Sequence, residues 1–236
     1  MGVVVASRPP MRGNKTARAG TMGKVYAART MSQTFLAKNH AMSENRKTKQ
    51  HVLLITGAPG IGKTTVIQRV ANELKHKGLR GFYTEEIRED GERRGFRLVG
   101  FDGTMHIIAH VDIAKRHHVG KYGVDVAVLD DAAQLLRPDP HTHVYLVDEI
   151  GKMECLSECF VAAMHVLISG HTPIVATVGA HGGGFIAEVK RRPECDLWTV
   201  TYANRNELPA RILAWLAERS YRGSKRTFAR AIRDAR

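Results

Sequence analysis

Apolar and polar positions between residues 51 and 216 change period from segment to segment, and the order of those periods predicts an α/β protein. Residues 52–55 (VLLI) are an unbroken aliphatic run, the pattern of a strand covered on both faces. Beyond a glycine-rich turn, Val66, Ile67, Val70 and Leu74 recur at helical spacing, with Gln68, Arg69 and Glu73 on the remaining arc. Gly78 and Gly81 punctuate a turn, and GFYTEEIRE (81–89) reads as a second strand with an acidic end. Two alternating runs within 95–110 flank Asp102-Gly103, a hairpin signal. Residues 111–124, with Lys115, Arg116, His117 and His118, show no period and read as a loop. A short helix is predicted over 125–136, stopped before Pro138, and then a strand, VYLVDEI, over 144–150. An amphipathic helix (154–169) ends at Gly170, and a buried strand, TPIVATV, covers 172–178. A short helix (185–191), a strand (197–202) and a last helix (204–219) complete the series. Five strands separated by helices imply a mostly parallel sheet covered by helices, with an inserted β-hairpin. No repeat or low-complexity linker divides 51–216, which reads as one domain.

The turn after the first strand carries chemistry. Residues 57–64 fit G-x-x-x-x-G-K-T, with a strand before and a helix after, the context a phosphate-binding loop requires. Gly57, Ala58, Pro59, Gly60, Ile61, Gly62, Lys63, Thr64 and Thr65 are the candidate nucleotide-binding residues. Glycines let the backbone wrap the phosphates, Lys63 reaches the outer phosphate oxygens, and the Thr64 hydroxyl ligates Mg²⁺. The strand at 144–150 ends in two adjacent carboxylates, whose side chains alternate in direction along a regular strand and so serve different ends. Asp148 suits the acid that holds Mg²⁺ through water, making Thr64 and Asp148 the expected metal ligands. Glu149 is then free to orient an attacking water, which turns a nucleotide-binding loop into a hydrolase of nucleoside triphosphates.

Charge divides the chain. Lys and Arg total 36 against 23 Asp and Glu, for a net charge of +13, yet residues 1–50 account for +9, residues 217–236 for +5, and residues 51–216 for −1. The expected organisation is a basic, disordered extension (1–50), a phosphate-loop NTPase domain (51–216) and a basic tail (217–236). The extension is rich in Arg, Ser, Thr and Ala with a single acid, Glu44, which fits a mitochondrial presequence or a cytoplasmic basic arm and not a secretory signal. Nucleic acid is an available partner for the tails but is not required by the core, which lacks a basic aromatic stripe. Cys155, Cys159 and Cys195 form no C-x-x-C pair, so neither a disulfide framework nor secretion is expected. No apolar stretch reaches the roughly 20 residues that span a bilayer. A monomer is favoured.

Beyond the generic loop, GAPGIGKTT, GFYTEEIRE with RRGFRLV, VDEIGKME and the C-terminal T-x-x-NRN-x-LP carry a more specific likeness. Over about 51–216 the chain resembles the nucleoside-triphosphatases described as thermophilic phosphohydrolases and, in animals, as the cancer-related nucleoside-triphosphatase. The resemblance implies a RecA-like sheet in which an extra strand separates the phosphate-loop strand from the Asp-Glu strand. On that reading 172–178 is the intervening strand, and Thr177 lies near the γ-phosphate. The resemblance also implies slow, Mg²⁺-dependent hydrolysis of ATP, GTP, CTP and UTP to diphosphate and phosphate, with little base preference. Around 179–184, Gly179 and three glycines replace a proline-containing stretch of the family.

The charge that develops on the transferred phosphoryl group needs a cationic partner, for which Arg88, Arg94, Lys152 and Arg205 are candidates. Arg205, in the NRN motif, is the catalytic candidate beside Lys63 and Glu149, although stacking on the base or holding the sheet edge are alternatives. Glu85 and Glu86 line the acceptor side or are solvated. Two alternative functions use the same loop: a nucleotide or small-molecule kinase, which needs an acceptor and a water-excluding lid, and a nucleic-acid-associated NTPase.

Overall fold

The computed structural model describes residues 50–74, 78–114 and 116–220. Its nine strands, β1 (Val52–Thr56), β2 (Leu79–Glu89), β3 (Glu92–Gly100), β4 (Met105–His110), β5 (His117–Val119), β6 (Tyr122–Val124), β7 (Val144–Ile150), β8 (Ile174–Val178) and β9 (Cys195–Thr199), form one sheet. Across that sheet the order is β5-β6-β4-β3-β2-β7-β8-β1-β9. Five helices, α1 (Lys63–Glu73), α2 (Val126–Ala132), α3 (Glu158–Ile168), α4 (Gly184–Val189) and α5 (Leu208–Ser220), cover it.

The five expected strands are the parallel half, β2-β7-β8-β1-β9. Alternation along β1 decides which core each residue enters. Val52 and Leu54 join Tyr145, Val147, Ile174 and Ala176 under Phe160 and Met164 of α3. Leu53 and Ile55 face the other way, with Leu146 and Val175, onto α1 and α5. The unbroken aliphatic run is thereby explained, since every position in it is fully buried on one face or the other. Strand β8 lies between β7 and β1, with Thr177 opposite Ile55, as the intervening strand of a RecA-like fold.

The other half of the sheet is antiparallel and larger than the expected hairpin. β3 and β4 flank Asp102-Gly103 as the pattern implied, but β2 itself turns back into β3 at Asp90 (φ 49°) and Gly91 (φ 80°). This second Asp-Gly turn makes β2, β3 and β4 one continuous meander joined to the parallel strands. The loop expected over 111–124 instead holds β5 and β6, three residues each and too short to show a period. The last strand ends at Thr199, and residues 201–207 turn before α5, where a helix was expected from 204. That helix continues through 217–220; Arg219 lies over Trp215 and donates to the Gln50 carbonyl at 2.7 Å. The expected presequence lies outside the described residues.

Side chains set the starts of α2 and α3. Asp125 caps α2 by accepting from the Val128 N–H, and Ser157 caps α3 by accepting from the Phe160 N–H at 2.9 Å. The close approach of β2 to β7 depends on Gly81, paired with Leu146 at φ 107°, where a Cβ would stand 2.0 Å from the Leu146 carbonyl oxygen. Gly91, also left-handed, faces open space. Gly81→Ala is therefore expected to cost about 2 kcal/mol or more, and Gly91→Ala roughly 1 kcal/mol, in urea unfolding. Equal losses would remove the steric argument.

Candidate active site

The phosphate loop runs from β1 into α1, and the helix begins with no side chain capping it. Its first N–H groups are thus left for a ligand, at the positive end of the helix. Gly62 occupies the N-cap position at φ 106°, a conformation that costs other residues energy. Lys63 folds back so that its Nζ donates to the Gly57 carbonyl at 3.3 Å and stands 3.8 Å from Glu149 Oε2.

Asp148 is 1% exposed and lies at the centre of the site. The Thr64 hydroxyl donates to its Oδ2 at 2.6 Å, and the Thr177 hydroxyl to its Oδ1 at 2.6 Å. Thr84 of β2 adds its backbone N–H at 3.5 Å and its hydroxyl at 3.4 Å. Burial pushes the Asp148 carboxyl above the usual range, opposed by these hydrogen bonds and by Lys63. Glu149 is likewise raised by burial, with Lys63 pulling the other way and Asp148 adding repulsion. Glu154, on the 3₁₀ turn Glu154–Leu156 that follows β7, is 4% exposed. Burial lifts it to about 8, with a further push from Glu149 and Asp148.

An open cavity of about 850 Å³ is lined by the loop, Thr84, Glu149, Lys152, Glu154 and His181 among others. Of the four cationic candidates, Lys152 lines it. Arg88 is bound to Glu86 and the Gly91 carbonyl, and Arg94 to Asp112 and Glu89. Arg205 does not join Lys63 and Glu149: it is exposed and lies over the Tyr202 ring at 5.0 Å, in the turn beyond β9. Glu85 and Glu86 line the cavity but are paired with Arg97 and Arg93. Three contributors escaped the sequence reading: Thr84, Glu154 and Lys190. The first two stand in GFYTEEIRE and VDEIGKME, strings whose likeness to the family is the signal that could have found them. Lys190 donates to the carbonyls of Gly179 and Ala180 at 2.6 and 3.0 Å, pinning the start of the glycine-rich stretch after β8. The cysteines are free, and burial raises Cys155 and Cys195 to about 12, so neither is a reactive thiolate.

A capless helix behind a glycine loop, a lysine, and a buried aspartate on the strand two places away define a P-loop NTPase. The family model described as NTPase matches residues 52–213, and the chain belongs to that family. The nucleoside-triphosphatase THEP1 of Methanopyrus kandleri is 40% identical over 72% of this chain and 99% of its own. The human cancer-related nucleoside-triphosphatase is 37% identical over 67% of this chain and 92% of its own. The crystal structure of THEP1 from Aquifex aeolicus superposes with a TM-score of 0.61 at 31% identity, covering 70% of this chain and 98% of that one.

Glutamate in an unfolded chain loses its proton near 4.5, whereas Glu154 in the fold keeps its proton to about 8. Between these values the native state binds the extra proton, so this group's stabilisation is present below about 4.5 and falls as pH rises to about 8. The urea midpoint is expected to drop between about pH 5 and about pH 8. Glu154→Gln should flatten that slope; an unchanged slope would show that another group causes it.

Proposed function

We propose that the protein hydrolyses nucleoside 5′-triphosphates to diphosphate and phosphate, with Mg²⁺, slowly and with little base preference. The observation that carries the reading is the convergence of Thr64 on Asp148, 84 residues away in sequence, and of Lys63 on Glu149, beside one cavity lined by Lys63, Thr64 and Glu149. Lys63 exchanges Glu149 for the outer phosphate oxygens when a triphosphate enters, and the loop N–H groups receive the remaining oxygens. Released from Lys63, Glu149 accepts a hydrogen bond from the attacking water and aims it in line with the bond that breaks.

The residues fit a bound Mg²⁺. Asp148 is a buried carboxylate whose contacts are threonine hydroxyls and one N–H, and among the described residues no His/Cys/Asp/Glu cluster forms an all-protein cage. Mg²⁺ favours one or two protein oxygens completed by phosphate and water. Thr64 and Asp148 would hold it, and when bound it neutralises charge on the phosphate oxygens.

Slow turnover is supported by the cavity's lining, where among the described residues the cationic side chains of Lys and Arg type are Lys63 and Lys152, with no arginine. An arginine finger is worth about 10³–10⁵ in turnover where one is supplied. Breadth toward bases is supported by the turn beyond β9, which abuts the loop at Gly57 through the Val200 carbonyl. There Tyr202, 75% exposed and stacked with Arg205, offers a flat face to any base. This reading moves Arg205 from catalysis to binding. A kinase is the second reading, favoured by one observation: beneath β3 and β4 the cavity continues along Phe96, Ile108 and Val119, an apolar wall that water does not need. The basic residues that motivated a nucleic-acid partner, Arg219 apart, lie outside the described residues, as does any import signal. Among the described residues no helix is long and apolar enough to cross a membrane.

Phosphate release from ATP, GTP, CTP and UTP tests the proposal. Lys63→Ala should abolish turnover and weaken binding, whereas Glu149→Gln should bind normally and lose about a hundredfold or more in kcat. Arg205→Ala should raise KM and leave kcat within about threefold. Normal turnover by Glu149→Gln would refute the water-orienting role, and nucleotide binding without phosphate release would favour transfer to an acceptor.

A further inference from the structure

The hydrolytic reading leaves Glu154 without a task. It is a 4%-exposed carboxyl on the cavity wall, with no cationic side chain paired to it among the described residues. The polar groups acting on it are the backbone N–H groups of Glu154 itself and of Gly151, and the carboxylates of Glu149 and Asp148. Burying such a group is costly unless its neighbours make use of it.

Gly151 shows which neighbour does. The point where a Cβ on Gly151 would stand is 2.7 Å from Glu154 Oε2 and 2.8 Å from Glu149 Oε1. The two oxygens are therefore no further apart than those distances laid end to end, a gap that a hydrogen bond or one bridging water closes. Glu149 is thus addressed on both sides. Its Oε2 faces Lys63 at 3.8 Å, and its Oε1 lies over Gly151 against Glu154.

We propose that the Glu154 carboxyl is the positioning residue of the hydrolytic centre, donating a hydrogen bond to Glu149 Oε1, directly or through one water, so that Oε2 is aimed at the attacking water. The inference rests on Glu149 orienting that water. Two ionised carboxylates at this separation would repel, whereas one shared proton makes the contact attractive. Exposure decides which partner keeps it: the Glu149 side chain is 34% exposed and pairs with Lys63, while Glu154 is sealed off. Glu154 then acts as a neutral donor and Glu149 remains the acceptor. When Lys63 turns to the phosphates, Oε2 is freed, but Oε1 stays held and the carboxylate cannot swing away. Gly151 belongs to the device, because any side chain there would enter the space that both oxygens occupy.

The test compares Glu154→Met, Glu154→Gln, Gly151→Ala and Glu149→Gln in the full-length protein, with kcat and KM for ATP and the affinity for a fluorescent methylanthraniloyl-ATP. Glu154→Met, similar in length but without a donor, should lower kcat between about tenfold and a hundredfold, with KM and affinity within about twofold. Glu154→Gln keeps a donor in the same place and should restore kcat to within about threefold of the parent. An unchanged kcat in Glu154→Met overturns the proposal. So does a Glu154→Gln variant as slow as Glu154→Met, which would assign the role to the carboxylate's charge. Should Glu154→Met not fold, Gly151→Ala carries the test: kcat should fall with affinity kept, and an unchanged kcat overturns the proposal. Glu149→Gln separates the two readings. Its normal turnover sinks the water-orienting role, whereas its loss of turnover beside an unaffected Glu154→Met sinks the positioning role alone.

Discussion

The Asp148 carboxylate ties four elements of the structure together. Thr64 reaches it from the first turn of α1, Thr177 from β8 and Thr84 from β2, while the carboxylate itself stands on β7. Four elements distant in sequence are thus fastened at one buried anion. A lone buried carboxylate is expensive, and hydroxyl donors compensate only part of that cost. With the proposed Mg²⁺ the same carboxylate would serve both as structural hub and as metal ligand.

The cavity's charge follows from that choice. Burial raises Asp148, Glu149 and Glu154; Asp148 adds to the rise of Glu149, and both add to that of Glu154, with Lys63 as the cation acting on the first two. Like charges so confined do not all ionise, and burial ranks them by how readily each gives up its proton. Glu149, the most exposed and the one beside Lys63, is suited to accept; Glu154, the one that burial lifts to about 8, is suited to donate. Elements chosen for packing, β7 and its 3₁₀ turn, thereby sort chemically similar side chains into different tasks.

The phosphate loop, the Asp148-Glu149 strand and the parallel half of the sheet were legible because each is a local pattern: a glycine spacing, an apolar run, a strand-to-helix change of period. Elsewhere the pattern was ambiguous. Two Asp-Gly pairs occur in the region of the meander, at 90–91 and 102–103, and both are turns, yet 102–103 alone is flanked by long alternating runs. β5 and β6 are three residues long, held by pairing with each other and, through β6, with β4, which no periodicity reveals. Arg205 was drawn toward catalysis by its motif, but a helix start beyond β9 says nothing of which way the turn carries the guanidinium, and it rests on Tyr202.

By itself the sequence determined that this chain is a phosphate-loop α/β protein, which strands are buried on both faces, and which lysine and carboxylates stand beside the loop, because backbone geometry and side-chain period act over a few residues. Tertiary structure alone decided that three threonines from separate elements converge on Asp148, that Lys152 lines the cavity and Arg205 does not, and that Glu154 faces Glu149 across Gly151. Those contacts join residues whose spacing along the chain carries no information about distance, and burial, which ranks the carboxylates, exists only once the sheet and its helices have closed around them.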